Sequence, residues 1–157
     1  MTFTPRLRTF AAASALLLAP ALAGCDSGSD ASSGFNIDTY TGAAYSGTAT
    51  ATATGQPAQT NPFTLSITKN SATALTMTIT VNGTATPVVG TYSSSGATFA
   101  ATGTPAYSLQ ISPSGTFSGS IIFDPSTVAT ASGSITRSRV NLVLTAPAGT
   151  ITYVGTR

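Results

Sequence analysis

The chain has 157 residues, with six basic and four acidic side chains, a single cysteine, and no histidine, tryptophan or glutamate. Charge this sparse excludes the clustered Lys and Arg that nucleic-acid binding needs, and no polybasic run is present to attract anionic lipid. Acid–base, nucleophilic and metal chemistry are equally short of groups, so no enzyme, no metal and no cofactor are expected.

The N-terminus reads as an export signal. Arg6 and Arg8 precede an apolar, nearly uncharged stretch from Thr9 to Leu22. That stretch is shorter than the roughly 20 apolar residues of a membrane-spanning helix. A basic start, an apolar core and a small-residue exit, in that order, fit a cleaved signal. The exit is Leu22-Ala23-Gly24-Cys25. It resembles the lipobox of bacterial lipoproteins. The resemblance implies cleavage between Gly24 and Cys25, a diacylglycerol on the Cys25 thiol and an acyl chain on its new amine. The protein is then held to a membrane of the bacterial cell envelope. Each buried methylene contributes about 0.8 kcal/mol, so two or three chains anchor almost permanently. Asp26 resembles an enterobacterial inner-membrane retention signal, but no particular membrane is assigned from it. Because Cys25 is the only cysteine, no disulfide can form within the chain, even in an oxidising compartment. Burial and backbone hydrogen bonds must hold the fold.

Residues 1–24 are thus read as the signal, and 25–34 as the lipidated cysteine with its tether. The tether, DSGSDASSG from Asp26 to Gly34, has no apolar residue larger than Ala. It should be flexible, reaching at most about 30 Å when extended. Beyond Gly24, Lys69, Arg137, Arg139 and Arg157 balance Asp26, Asp30, Asp38 and Asp124.

Residues 35–157 suit one domain. Ser and Thr supply about a third of the whole chain, and they alternate with apolar residues. Phe63-Thr64-Leu65-Ser66-Ile67-Thr68 places apolar groups on one face and hydroxyls on the other. Leu75-Thr76-Met77-Thr78-Ile79-Thr80-Val81 and Tyr107-Ser108-Leu109-Gln110-Ile111 repeat the pattern. Such alternation marks half-buried antiparallel strands. Asn82-Gly83 is a strong tight-hairpin signal. Lys69-Asn70-Ser71, Ser93 to Gly96, Ser112 to Gly115, Asp124 to Thr127 and Ala146 to Gly149 supply further turns. Strands are expected near 43–54, 63–69, 73–81, 84–93, 97–103, 106–112, 116–123, 128–136, 140–145 and 150–156.

An all-β antiparallel up-and-down meander of about eight to ten strands follows, closing into a small barrel that leaves no edges. A β-sandwich is the alternative. Gly90-Thr91-Tyr92-Ser93 and Gly115-Thr116-Phe117-Ser118 share a Gly-Thr-aromatic-Ser start, and Tyr45-Ser46-Gly47-Thr48 is a looser version. These patches resemble strand openings of lipocalin-like and avidin-like small barrels. The same glycines also fit simple relief of crowding in a strand.

A barrel of this size is either filled or open to one small ligand. The expected interior includes Phe63, Leu65, Ile67, Leu75, Met77, Ile79, Val81, Phe99, Tyr107, Leu109, Ile111, Phe117, Ile121, Phe123, Leu142, Leu144, Ile151 and Tyr153. On the first strand Gly47, Ala49, Ala51 and Ala53 face in, leaving a pocket or making room for large residues opposite. Ala49, Ala51 and Tyr107 are candidate ligand contacts. Arg137 and Arg139, two apart, are candidates for clamping a ligand carboxylate; a solvated turn is the other reading. Asp38 and Asp124 read as local backbone partners. Two functions remain. A lipid-anchored, non-catalytic β-domain would act through its outer surface on an envelope protein. Alternatively, the lumen would bind a small apolar ligand in the manner of lipocalins.

Overall fold

The computed structural model describes residues 34–103 and 105–157. The signal, Gly24 and the expected lipidation site Cys25 lie outside the described residues. Alternation does produce strands: β1 (Tyr45–Ala53), β2 (Gln59–Lys69), β3 (Ala74–Val81), β4 (Thr84–Ser93), β5 (Gly96–Ala101), β6 (Ala106–Ile111), β7 (Thr116–Asp124), β8 (Thr127–Ile135), β9 (Arg139–Ala146) and β10 (Gly149–Thr156). Each pairs antiparallel with the next, and β10 returns to pair with β1, so the meander is a closed barrel rather than a sandwich. The Asn82-Gly83 turn has φ of 49° and 80°, the left-handed pair that a two-residue hairpin requires.

The inward face follows the expected parity. Leu65, Leu75, Met77 and Phe99 are fully buried, while the Thr and Ser between apolar residues face out. Doublets of apolar residues obey the same rule: Val88 is 6% exposed and its neighbour Val89 is 60% exposed. Close packing also explains two glycines. Gly47 of β1 pairs with Gly155 of β10, and a Cβ on Gly47 would lie 1.9 Å from the Val154 carbonyl oxygen. Gly90 faces Phe99, whose ring carbon would be 2.6 Å from an added Cβ. Gly115 sits in a turn at φ 77°. An added Cβ there would also lie 2.1 Å from the Ile135 carbonyl oxygen, so crowding accounts for the glycine of both Gly-Thr-aromatic-Ser patches, joined at Gly115 by the turn's positive φ.

The largest departure from the expected boundaries is at β2. Strand β2 begins at Gln59, ahead of Pro62, where the sequence suggested Phe63. The Pro62 carbonyl accepts the Asn82 N–H at 3.0 Å. Its missing N–H would point to the same side, where β3 has already turned away, so the ladder to β1 loses nothing. Strand β4 pairs with β3 along its length, but with β5 only from Gly90 onward. Thr84 to Val89 thus has no ladder partner on the β5 side among the described residues, and the wall carries a seam there.

The two ends of the barrel differ. Strand β1 runs from a plugged end to an open end. At the plugged end, Asn36 caps a single 3₁₀ turn, Ile37–Thr39, before β1. Phe35, Ile37 and Tyr40 are buried there, with the Phe35 and Tyr40 rings stacked at 5.2 Å. The Phe35 N–H donates to the Ser94 carbonyl at 2.7 Å, fixing the plug to the β4–β5 turn. No alternation or turn motif marks this segment in the sequence.

Candidate functional site

The interior is filled from the plug to about mid-barrel. Tyr45, Phe63, Leu65, Leu75, Met77, Phe99, Ile111, Ile135 and Val140 are each less than 2% exposed. Phe63 packs against Tyr153 with ring centroids 5.1 Å apart, and burial raises the Tyr153 phenol above its usual 10.0. Toward the open end, inward apolar residues are only half-buried: Ile79, Val81, Tyr107, Ile121, Leu144 and Ile151. They pack on the core with one side and face space with the other.

That space includes a cavity of about 150 Å³. Its walls come from Ala51 of β1, Phe123 of β7, Ala129 of β8, Leu144 and Ala146 of β9, and Ile151 of β10, with Ala148 at the rim. Small residues on β1 and β8 create the room. Phe123 keeps the inward parity of Phe117 and Ile121, at the point where the β7–β8 register shifts between Ile122 and Asp124. The adjoining turn is fixed by Asp124, whose carboxylate accepts from the Ser126 N–H at 2.8 Å and the Ser126 hydroxyl at 2.6 Å. The Ser126 hydroxyl bond and then its backbone bond hold the Asp124 carboxyl below its usual range. Asp124 is thus the local backbone partner that the sequence suggested.

Among the described residues no charged side chain lines the cavity, and the polar side chains at its wall are Thr52, Thr127 and Thr150. The Thr52 hydroxyl is already donated to the Thr150 carbonyl at 3.1 Å. Among the described residues no polar side chain other than tyrosine is buried, and no three His, Cys, Asp or Glu side chains converge as a metal group would require.

The candidate contacts separate. Ala51 lines the cavity. Ala49 is buried beneath it within the core, and Tyr107 is half-buried on the inward face of β6. Arg137 and Arg139 are exposed around the β8–β9 turn at the plugged end. They do not share a strand face: Arg137 is in the turn and Arg139 opens β9 pointing outward, because Val140 points in. Neither reaches the lumen. Ala129, Ala146 and Ala148 were not singled out from sequence. Ala129 is legible only once Ile135 fixes the parity of β8, because Val128 beside it looks like the inward residue.

A second groove of about 250 Å³ lies on the outer wall, where Thr91, Thr98, Gln110 and Ser118 stand on neighbouring strands. Some of its hydroxyls are already bonded, Ser93 to Ser95 within the groove and Ser112 to Ser114 beside it. Open, polar and uncharged, it offers a ligand little that water does not.

Comparison with known proteins yields a fold relationship. No family model matches the chain, and no curated protein matches it. A crystal structure of a protein of unknown function from the DUF3598 family, from Nostoc punctiforme, is similar with a TM-score of 0.63 and 14% identity. The similarity covers 80% of this chain and 50% of that one, so this chain spans about half of that protein. The likeness is one of barrel architecture.

Proposed function

We propose that this protein is a non-catalytic, lipid-anchored envelope domain whose barrel takes one small uncharged apolar group at its open end. The carrying observation is the gradient of burial along the lumen, from a filled half to a half whose inward apolar side chains are incompletely covered. Size limits the ligand. Sites for drug-sized molecules enclose roughly 300–1,000 Å³, whereas a dry apolar cavity of about 150 Å³ takes a single benzene ring. A ring or the end of an alkyl chain fits, and a charged headgroup would have no partner in the cavity. The lipid anchor is supported by the resemblance of Leu22-Ala23-Gly24-Cys25 to a lipobox.

Native mass spectrometry of protein purified from its own host tests the ligand reading. An extra mass released on denaturation is the expected result, absent from Ala129→Leu, which fills the cavity. A bare polypeptide mass, with no uptake of added benzene by calorimetry, would overturn it. Action through the outer surface is the second reading. It is favoured by Ile122 and Val128, exposed apolar residues that face each other across β7 and β8. The anchor has its own test: Cys25→Ser should leave the protein soluble after a salt wash, where the unaltered chain stays with membranes.

A further inference from the structure

The basic side chains lie far apart in sequence, yet the meander gathers those of the described residues at one end. Lys69 closes β2, Arg137 lies in the β8–β9 turn, Arg139 opens β9, and Arg157 follows β10. All of these positions belong to the plugged end. Arg157 is spent internally on backbone carbonyls, and Lys69 pairs with Asp38 at 3.5 Å. Arg137 and Arg139 are exposed, and among the described residues neither has a carboxylate within ion-pair reach. The open end carries one charged side chain among the described residues, Asp124, of opposite sign.

The described chain also begins at the plugged end, where Phe35 is bonded to Ser94. We infer that the plugged end is the face the protein sets against a membrane bearing anionic headgroups. Arg137 and Arg139 are its phosphate contacts, and the cavity mouth points away from the bilayer. The inference rests on the anchor reading for its tether: nine residues from Cys25 hold this end within about 30 Å of the headgroups. Screening limits the attraction to about 10 Å at 0.1 M salt, a separation that the tether lets this end reach repeatedly and the open end only with the barrel turned over. Guanidinium forks suit phosphate oxygens. An apolar group would then be exchanged with the aqueous side or with a partner there, not directly with the anchoring bilayer.

The test uses the full lipidated protein in phosphatidylcholine vesicles with and without phosphatidylglycerol. Ser138→Cys and Ala148→Cys, made separately, carry a fluorophore at the plugged and open ends, with Cys25 blocked by its lipid. A headgroup-bound nitroxide should quench the Ser138 probe far more than the Ala148 probe in anionic vesicles. Each arginine is expected to bias the orientation roughly fivefold. The difference should shrink to that seen in neutral vesicles, where the tether alone acts, in Arg137→Glu/Arg139→Glu and at about 1 M salt, where the screening length is about 3 Å. Equal quenching at both ends, or stronger quenching at Ala148, in protein that sediments with the vesicles would overturn the docking face. Failure to sediment with neutral vesicles would overturn the anchor alone. Sedimentation with anionic vesicles at low salt, lost in the double variant, would then still support the docking face.

Discussion

Arg157 organises the plugged end. Its guanidinium donates to the carbonyls of Tyr40, Thr41 and Ala43 at 3.2, 2.9 and 3.2 Å, and also to those of Thr39 and Arg137. It lies 4.3 Å from the centroid of the Tyr45 ring. Hydrogen bonds from a charged donor contribute about 1.5–3 kcal/mol each when well made. Water can replace some of these, so Arg157→Ala should lower stability by about 2 kcal/mol in chemical denaturation. Arg157→Lys should recover only part of this, because an ammonium cannot span carbonyls on both sides. Full recovery by Lys would show that charge alone matters. The sequence offered no sign of this role, since a lone Arg carries no periodicity or motif. The inward Ala49 and Ala51 were legible, because alternation decides which face a residue takes. Tyrosines set an alkaline limit. Burial raises Tyr40, Tyr45 and Tyr153 above 10.0, with Arg157 partly opposing the rise at Tyr45. The folded state then keeps these protons to higher pH than the unfolded chain does. Their contribution is complete below 10.0 and is lost as pH rises through the folded values. Tyrosinate absorbance and circular dichroism followed together should show ionisation coinciding with unfolding. Ionisation of all tyrosines in a still-folded barrel would contradict this.

At the level of elements, the seam between β4 and β5 makes a pattern in hydrogen exchange. From Thr84 to Val89, amides facing β3 have ladder partners and amides facing β5 do not. Exchange should therefore alternate between slow and fast along this stretch, while both sets of amides are protected from Leu75 to Val81 on β3. Uniform protection across 84–89 would show the seam closed in solution. Pro87 fits a strand paired on one side, a place where proline also discourages pairing with another chain. Strand count and most turns were readable because period-two alternation and Gly, Asn and Pro punctuation act locally. The start of β2 was not, because Pro62 reads as a strand breaker until its neighbours are known. The 3₁₀ plug was not readable either: one turn is too short to show a period, and Phe35, Ile37 and Tyr40 acquire their role only from the barrel end they cover.

Across the molecule, mutational sensitivity should follow the burial gradient. Leu75→Ala or Met77→Ala in the filled half should cost about 2–5 kcal/mol, as large-to-small changes in closed cores do. Leu144→Ala or Ile151→Ala at the open half removes groups that already face space, and should cost about 1 kcal/mol by the area they bury. Equal losses in both halves, measured by denaturant unfolding, would mean that the open half is as tightly packed as the rest. Closure was inferable from a meander with many strands and a need to hide edges. The cavity was not, because it depends on which four or five side chains meet across strands far apart in sequence.

Ring closure has a consequence for how the chain is made. The first nine strands can pair as successive local hairpins, but the β1–β10 ladder joins Ser46 to Thr156. A chain emerging N-terminus first therefore presents an open sheet with two bare edges until its final strand appears. Such edges are templates for intermolecular pairing, and long-range closure is slow to form. Delivery of the last strand is thus the committing step of biogenesis, and a nascent chain stalled before β10 would depend on a chaperone to stay soluble.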